Sequence, residues 1–556
     1  MSTDGSEDAP LTRAQLRALR AAQSPAVSES EPAPEPEPGP AAEPEPAPAA
    51  TPEPAPAAEL EPAPAVPHGI PVPTAPIAVG LTVPTVPEQT DTAREHRPSG
   101  PGNRRFTLAL LGVLGALVLV AGVLGVISLT QGPRVSQVQV DPAQAVESSG
   151  SRLILTANQS LATVEPEQVA VDPAVPFTVD TAGRSIGIRF TVPLDDETTY
   201  RVTVGGVVAA GGGPKSELAT SFTTPATRIL LLQRDADGDD KIFSTDLTGE
   251  RARSVFQHPR IDDFRATSDL IVAAVEEENG SRLLVMNRDG SGQRELKLPG
   301  EGYVSSVQVS DRGGLVGYSY SDRDLTETSG RASVLVTQPL SGADEPRIVQ
   351  IEDADASVAE WQFVPDSSSM LFIDFDGALS VEDPTTTNGV QSMGNAASIL
   401  GVSRGTYTAI VQRTDASIVQ LDLTSGDETP LPASEPDYGD ADEIVPYPGG
   451  TLRHIVQRDE GGMPTGQAVV RVDDDGTAEI VSEVGGTDSI VQTCVSPSGQ
   501  YAAVVVAPDL PNNDYDDLLL PLPVTLHTQL IDLAGERTLP TLSGFDVSWC
   551  GQAPQP

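Results

Sequence analysis

The chain has 556 residues, with 34 basic against 79 acidic side chains, a net charge of −45, 51 prolines, 50 glycines and two cysteines. That is too long for one ordinary domain, so several segments are expected. Only three lysines occur, which makes DNA and RNA poor partners, because sequence-independent binding to them needs Lys and Arg clustered against phosphates.

The first segment, 1–104, reads as a disordered tail. Over EPAPEPEPGPAAEPEPAPAATPEPAPAAELEPAPAVP, proline removes backbone donors and fixes φ at every second or third position. Too little apolar surface is present to offset the entropy of ordering. The stretch is an extended acidic tether. Its Glu-Pro repeats hold no aromatic or Arg anchor for a Pro-binding module, so a passive linker is the plainer reading. Ahead of it, LTRAQLRALR carries a capping-box pair, Thr12 and Gln15, with Leu11 and Leu16 at the staple positions. A short helix is expected near 12–21, marginal when alone. Arg13, Arg17 and Arg20 share one side of it, suited to an anionic inner leaflet or a partner.

Residues 105–130 are expected to form a transmembrane helix. Phe106 to Leu129 is a run of 24 residues without a charge, spanning about 36 Å at about 1.5 Å per residue against about 30 Å of hydrocarbon. Its length, its start a hundred residues into the chain and the following SLTQGPR argue against a cleaved signal peptide. Arg94, Arg97, Arg104 and Arg105 precede it and only Arg134 closely follows. That asymmetry places the N-terminus in the cytoplasm and everything after 132 outside. Gly112 with Ala116 and Ala121 with Gly125 are small-xxx-small pairs of the kind that pack helices, though such residues are common in these segments. The part beyond residue 105 holds 64 acidic and 27 basic side chains, a net of −37. An acidic exterior favours solubility, cations and basic partners.

From 134 to 225 short alternating runs, VSQVQV, RLILTA, RSIGIRF, TTYRVTV and ATSFTT, are separated by Pro, Asp and Gly turns, the pattern of a small β-sandwich. RLILTANQSL, PLDDETTYRVTV and the closing SFTTP resemble the bacterial Ig-like domains of the S-layer type. The resemblance implies a spacer or adhesive module without catalysis, with Tyr200 hydrogen-bonding back to the preceding loop as a tyrosine corner.

Beyond 227 the chain repeats. Seven times a β run ends in a polar turn with glycine, at Gly249, Gly290, Gly342, Gly389, Gly426, Gly476 and Gly535, spaced by 41, 52, 47, 37, 50 and 59 residues. These are lengths of a four-stranded propeller blade. A second motif keeps step: WQFVPDSSS, TCVSPSGQ and, more weakly, VQVSDRGG and VPYPGG. The two motifs resemble the inner strand and outer hairpin of TolB-like propeller repeats over 227–551, with seven blades as the count and six as the alternative. The first repeat supplies three strands, so GFDVSWCGQ near the C-terminus is expected to complete blade one and abolish the free sheet edges. A tail of 552–556 follows.

Cys494 and Cys550 lie in inner-strand motifs of the exported region, where disulfides persist. Pairing would close a loop of about 55 residues, worth roughly 4 kcal/mol in the chain-entropy model. Aligning their turns gives both the same strand parity, so free thiols stay open, while the absence of C-x-x-C leaves no metal or redox reading. Asp235, Asp237, Asp239 and Asp246 fall at positions 1, 3, 5 and 12 of a calcium loop. Asp240 stands where Gly permits the turn and Phe243 where an oxygen would help, and the same stretch reads as an ordinary hairpin tip. Calcium is thus a possible cofactor and otherwise none is expected.

No catalytic motif is present: G-x-S-x-G, H-E-x-x-H and the phosphate loop are missing, with Pro214 where GGGPKS would need Gly. The five histidines have no ligand spacing. Trp361 and Trp549 read as core between blades, with sugar stacking the sharper alternative. The expectation is a membrane-anchored extracytoplasmic binding or scaffold protein, not an enzyme. Its partner would be an envelope protein or cell-wall polymer, contacted through acidic loops near 308–330, 432–448 and 508–524. An extracytoplasmic hydrolase or lyase, and a transmembrane sensor, are the rivals.

Overall fold

The computed structural model describes Phe106, residues 108–119, and residues 131–555 apart from 236–237, 327, 352–353 and 536. The acidic tether, the helix expected near 12–21, residues 120–130 and Asp237 lie outside the described residues. Phe106 and 108–119 are helical and their apolar side chains are exposed. Among the described residues no helix is long and apolar enough to cross a membrane; 108–119 is only the first half of the apolar run. This stretch belongs to a unit separate from the one that holds residues 131–555.

From Val135 to Thr223 seven strands make two antiparallel sheets. Val135–Gln139, Arg152–Ala157, Ser185–Phe190 and Phe177–Ala182 lie side by side in one, and Val169–Asp172, Thr199–Val207 and Ser216–Thr223 in the other. The alternation seen in the sequence decides which side chains go inside: Leu153, Leu155 and Ala157, and Tyr200, Val202 and Val204, are all buried in one core while their neighbours face out. Tyr200 also has a polar end to satisfy, and its hydroxyl accepts the Asp195 N–H at 3.0 Å. A short helix, Pro142–Glu147, interrupts the strands. Asp141 caps it by accepting the N–H groups of Ala143 and Gln144, and proline at its first position fits the helical φ.

From Arg228 on, seven antiparallel sheets of three or four strands follow in chain order, here sheets 1 to 7, with a two-stranded ribbon, Gln350–Ile351 against Ala354–Asp355, between sheets 3 and 4. Sheets 2 to 7 are four-stranded, each running in sequence from its first strand to its fourth; sheet 1 has three strands, Arg228–Gln233, Asp240–Asp246 and Arg253–His258. The second strands of sheets 2 and 7 are continuous buried apolar runs. Tyr501–Ala507 is buried at every residue and Ile271 to Val275 likewise. A strand loses its alternation when both faces are covered, and here each sheet has a neighbour on either side. One core packs sheets 2 and 3 through Val272, Leu283, Val316 and Tyr318; another packs sheets 6 and 7 through Leu452, Val469, Ala502 and Val504. Each large apolar side chain so enclosed contributes about 1.5–3 kcal/mol. The first strands of successive sheets lie against one another, and the C-terminal segment joins the first sheet to the last: Leu232 and Phe545 exchange both backbone hydrogen bonds, and the Ser548 N–H reaches Leu230 O. The architecture is a β-propeller, with the closing segment as the innermost element of sheet 1.

All seven repeat glycines occupy the turn before the last strand of their sheet, with φ between +67° and +88°. Only glycine adopts that conformation without steric cost, so the repeated residue records a repeated backbone shape. Cys494 and Cys550 are disulfide-bonded, with Cα atoms 5.3 Å apart. The parity objection does not apply, because Cys550 sits in a turn, its N–H on Val547 O, after the pairing with sheet 1 has ended.

Candidate functional site

The first strands surround an axis, and each bends at the same place. In sheets 2 to 7 the register with the second strand slips between Ile261 and Asp263, Ser305 and Gln308, Val358 and Glu360, Ile399 and Gly401, Ala441 and Glu443, and Ile490 and Gln492. A β-bulge re-aims the side chains that follow it. In five of the six sheets the residue after the slip is Asp, Glu or Gln; the sixth is Gly401.

These side chains reach across to the neighbouring strand. Gln308 donates to Trp361 O at 2.7 Å and accepts the Phe363 N–H at 3.0 Å. Glu360 accepts the Ile399 N–H at 3.1 Å, and Gln362 donates to Ile399 O. Glu443 accepts the Thr493 N–H. Gln492 donates to Asp546 at 3.0 Å and to Gln552 O at 2.6 Å. Arg265, buried at 2 % exposure, holds both oxygens of Asp546 at 2.9 and 2.8 Å, pairs with Asp263 at 3.0 Å and donates to Val307 O at 3.0 Å. Between sheets 5 and 6 the carbonyl of Ile444 stands where a β-carbon on Gly401 would have to go, so backbone contact replaces a bridge. Every one of the seven seams is thereby linked at one level. Each hydrogen bond made here offsets the about 1–3 kcal/mol that a buried, unpaired polar group costs.

Burial perturbs the acids of this belt. It pushes the Asp263 carboxyl well above the usual carboxylate range; Arg265 pulls it back and Asp546 pushes it further up. Glu443 rises to about 7, chiefly through burial, with His454 opposing and Asp442 reinforcing. For His454 burial acts downward, but the hydrogen bond and charge of Asp442, at 2.6 Å, prevail and raise it.

The belt borders an axial cavity of about 680 Å³, into which the chain end runs: the Gln555 N–H bonds to Val491 O, and Trp549 to Gln552 line its wall. At one mouth, formed by the turns between first and second strands, the two-sheet unit is seated. Asp196, 2 % exposed, accepts the Tyr501 hydroxyl at 2.6 Å and the Thr227 N–H at 2.9 Å, pairs with Arg537 at 3.2 Å, and gives its N–H to Gln500. Arg537 also pairs with Glu197 at 2.7 Å and lies over the Tyr501 ring. On the far side Glu147 of the short helix meets Arg288 at 3.7 Å. A cavity of about 190 Å³ remains between them, lined by Val146, Glu147, Asp311, Arg404 and Trp549 among others. The opposite mouth, ringed by the turns between second and third strands, carries no such cover among the described residues.

Asp235 and Asp246, the two ends of the calcium pattern, do not converge. Asp235 pairs with Lys241 at one end of the strand Asp240–Asp246, while Asp246 at the other end caps a turn through Thr248. Six steps of extended strand separate the ends by roughly 20 Å. A calcium loop would have to be one continuous turn, and the strand between Asp235 and Asp246 prevents that; among the described residues no cluster of three His, Cys, Asp or Glu is arranged to hold a metal. Trp361 is buried edge-on to Phe363, and Trp549 stacks on Tyr501. The sequence reading missed the belt. Its signal was available, a polar residue in IDDFR, VAEWQ, ADEIV, IVQTC and GFDVS, just upstream of or inside the inner-strand motifs on which the repeat was recognised.

No protein-family model matches the chain, and no curated protein matches it. Among solved structures it is similar to TolB from Acinetobacter baumannii at 12% identity, covering 70% of this chain and 83% of that one, with a TM-score of 0.33. It is similar to the β-propeller domain of Myceliophteria thermophila Cps50 (Swd1) at 11% identity, covering 52% and 88%, TM-score 0.33. It is similar to the tricorn protease at 14%, covering 70% of this chain and 44% of that one, TM-score 0.28.

Proposed function

We propose that the chain is a single-pass, membrane-anchored extracytoplasmic scaffold, whose Ig-like sandwich carries a seven-bladed propeller to an envelope protein or cell-wall polymer. The anchor reading rests on the charge-free run Phe106–Leu129 and the arginines before it. The observation that carries the binding reading is how the axial polar groups are spent. Asp546, Glu360, Glu443, Gln308 and Gln492 each bond to a neighbouring strand, so they brace the ring and are not held ready for a substrate. Recognition then falls to loops on a rigid frame, and of the three acidic regions anticipated, residues 323–330 and 508–524 belong to hairpins of the uncovered mouth. We read the protein as a non-enzyme on this ground. Protease added to intact cells should remove the propeller, and a photo-crosslinker at Asp514 should join it to an envelope component. Protection of the C-terminal half from protease would remove the topology, and adducts made only of copies of this chain would remove the scaffold role.

A further inference from the structure

The hairpins between second and third strands all emerge at the uncovered mouth, and four of them end alike. Leu325, Phe375, Met463 and Tyr515 are 45%, 66%, 65% and 49% exposed, on the tips of sheets 3, 4, 6 and 7. The only other large apolar side chains so exposed between residues 131 and 555, among those described, are Val138 and Ile480, which lie on strands. Each tip residue is flanked by carboxylates: Asp324 before Leu325, Asp374 and Asp376 around Phe375, Asp459 and Glu460 before Met463, Asp514 and Asp516 around Tyr515.

Among the described residues the arginines of this face, Arg458 excepted, are already paired with carboxylates. Arg323 pairs with Glu301 and Asp324, Arg331 with Asp322, Arg413 with Glu428, Arg234 with Asp240 and Asp516, and Arg260 with Glu276 and Asp517; Arg458 donates to Gly462 O. Apolar residues held out on turns cost solubility unless something covers them, and the acid around them selects what does. An anionic lipid surface or a nucleic acid is repelled, whereas a chain alternating cationic and apolar side chains is matched twice over.

We infer that the uncovered face docks a cationic polypeptide segment whose aliphatic or aromatic side chains seat against these four tips and whose Lys or Arg groups meet the flanking carboxylates. This rests on the scaffold reading above and narrows it to one face and one class of partner.

The test uses the full chain in zwitterionic nanodiscs and three labelled synthetic peptides of equal length: alternating Lys and Leu, the same with Glu for Lys, and the same with Ser for Leu, with empty nanodiscs as the blank. The Lys/Leu peptide should bind at least about tenfold more tightly than either counterpart, and raising salt from about 50 to about 300 mM should weaken it. Phe375→Ser with Met463→Ser should cost about tenfold or more. Both side chains are exposed, so an unchanged circular dichroism spectrum shows that the fold persists. Equal binding by the double variant, or equal binding of the Ser or Glu peptide, overturns the inference, and so does tip-dependent binding to phosphatidylglycerol vesicles. If the peptide fails while the Asp514 crosslinker still captures an envelope component, the scaffold reading stands and only the partner chemistry falls.

Discussion

Arg265→Met is the most direct perturbation of the axial belt. Methionine keeps the apolar stem and removes a guanidinium that is 2 % exposed, leaving Asp546 with Gln492 and Asp263, and neither acid with a cation. Removing one partner of a buried ion pair costs about 3–5 kcal/mol, mostly the penalty of the charge left behind. Adding Asp546→Asn withdraws that charge, so the double variant should be more stable than Arg265→Met by about 1–3 kcal/mol, a coupling energy of the size seen between contacting residues. The pH dependence has a fixed sign. In Arg265→Met the folded-state pKa of Asp263, already raised by burial, loses the guanidinium that opposes the rise, so its contribution is present at low pH and lost as pH rises; the deficit should shrink on going from about pH 8 to about pH 5. Urea unfolding followed by tryptophan fluorescence is a suitable assay, because both tryptophans, Trp361 and Trp549, line the axial cavity. A loss below about 1 kcal/mol for Arg265→Met, or a double variant as unstable as the sum of the singles, would refute the view that this cluster is a coupled electrostatic unit.

Glu443, at about 7 in the folded protein, makes stability fall as pH rises through neutrality, by about 1–2 kcal/mol between about pH 5 and pH 8 once solvent reach into the cavity is allowed for; Glu443→Gln should flatten this in pH-dependent melts, leaving the smaller drop from His454, which has the same sign. Asp196→Ala strands the Tyr501 hydroxyl, the Thr227 N–H and part of Arg537, so it should loosen the two-sheet unit from the propeller by about 2–3 kcal/mol, seen as faster cleavage near 224–228 in limited proteolysis; unchanged cleavage would mean the contact is incidental. Gly389→Ala meets open space and should cost only the positive-φ penalty of about 1 kcal/mol, whereas at Gly290 the Val255 carbonyl occupies the place of the new carbon and the loss in thermal stability should be clearly larger.

Much of the fold was written locally. A turn that needs φ near +80° selects glycine wherever it recurs, so seven such glycines marked the last turn of seven sheets, and the alternation from Arg152 to Ala157 marked a half-buried strand. The strands Val169–Asp172 and Phe177–Ala182 and the helix at Pro142 escaped notice because short segments take their form from the sheet or the cap that receives them. Spacing along a chain fixes distance only inside a loop, and a seven-residue strand, Asp240–Asp246, runs through the calcium pattern.

What the sequence settled alone was what depends on neighbours in the chain: the repeat, the strand periods, the closing segment and the sign of the charge. The tertiary structure decided which polar residues became the axial brace, how Cys550 turned toward Cys494, which mouth the two-sheet unit occupies and which hairpin tips stay in solvent. Those outcomes join residues hundreds of positions apart, such as Asp196 with Tyr501 or Arg265 with Asp546. Burial and electrostatics act through space, and no local pattern records which distant surface will arrive.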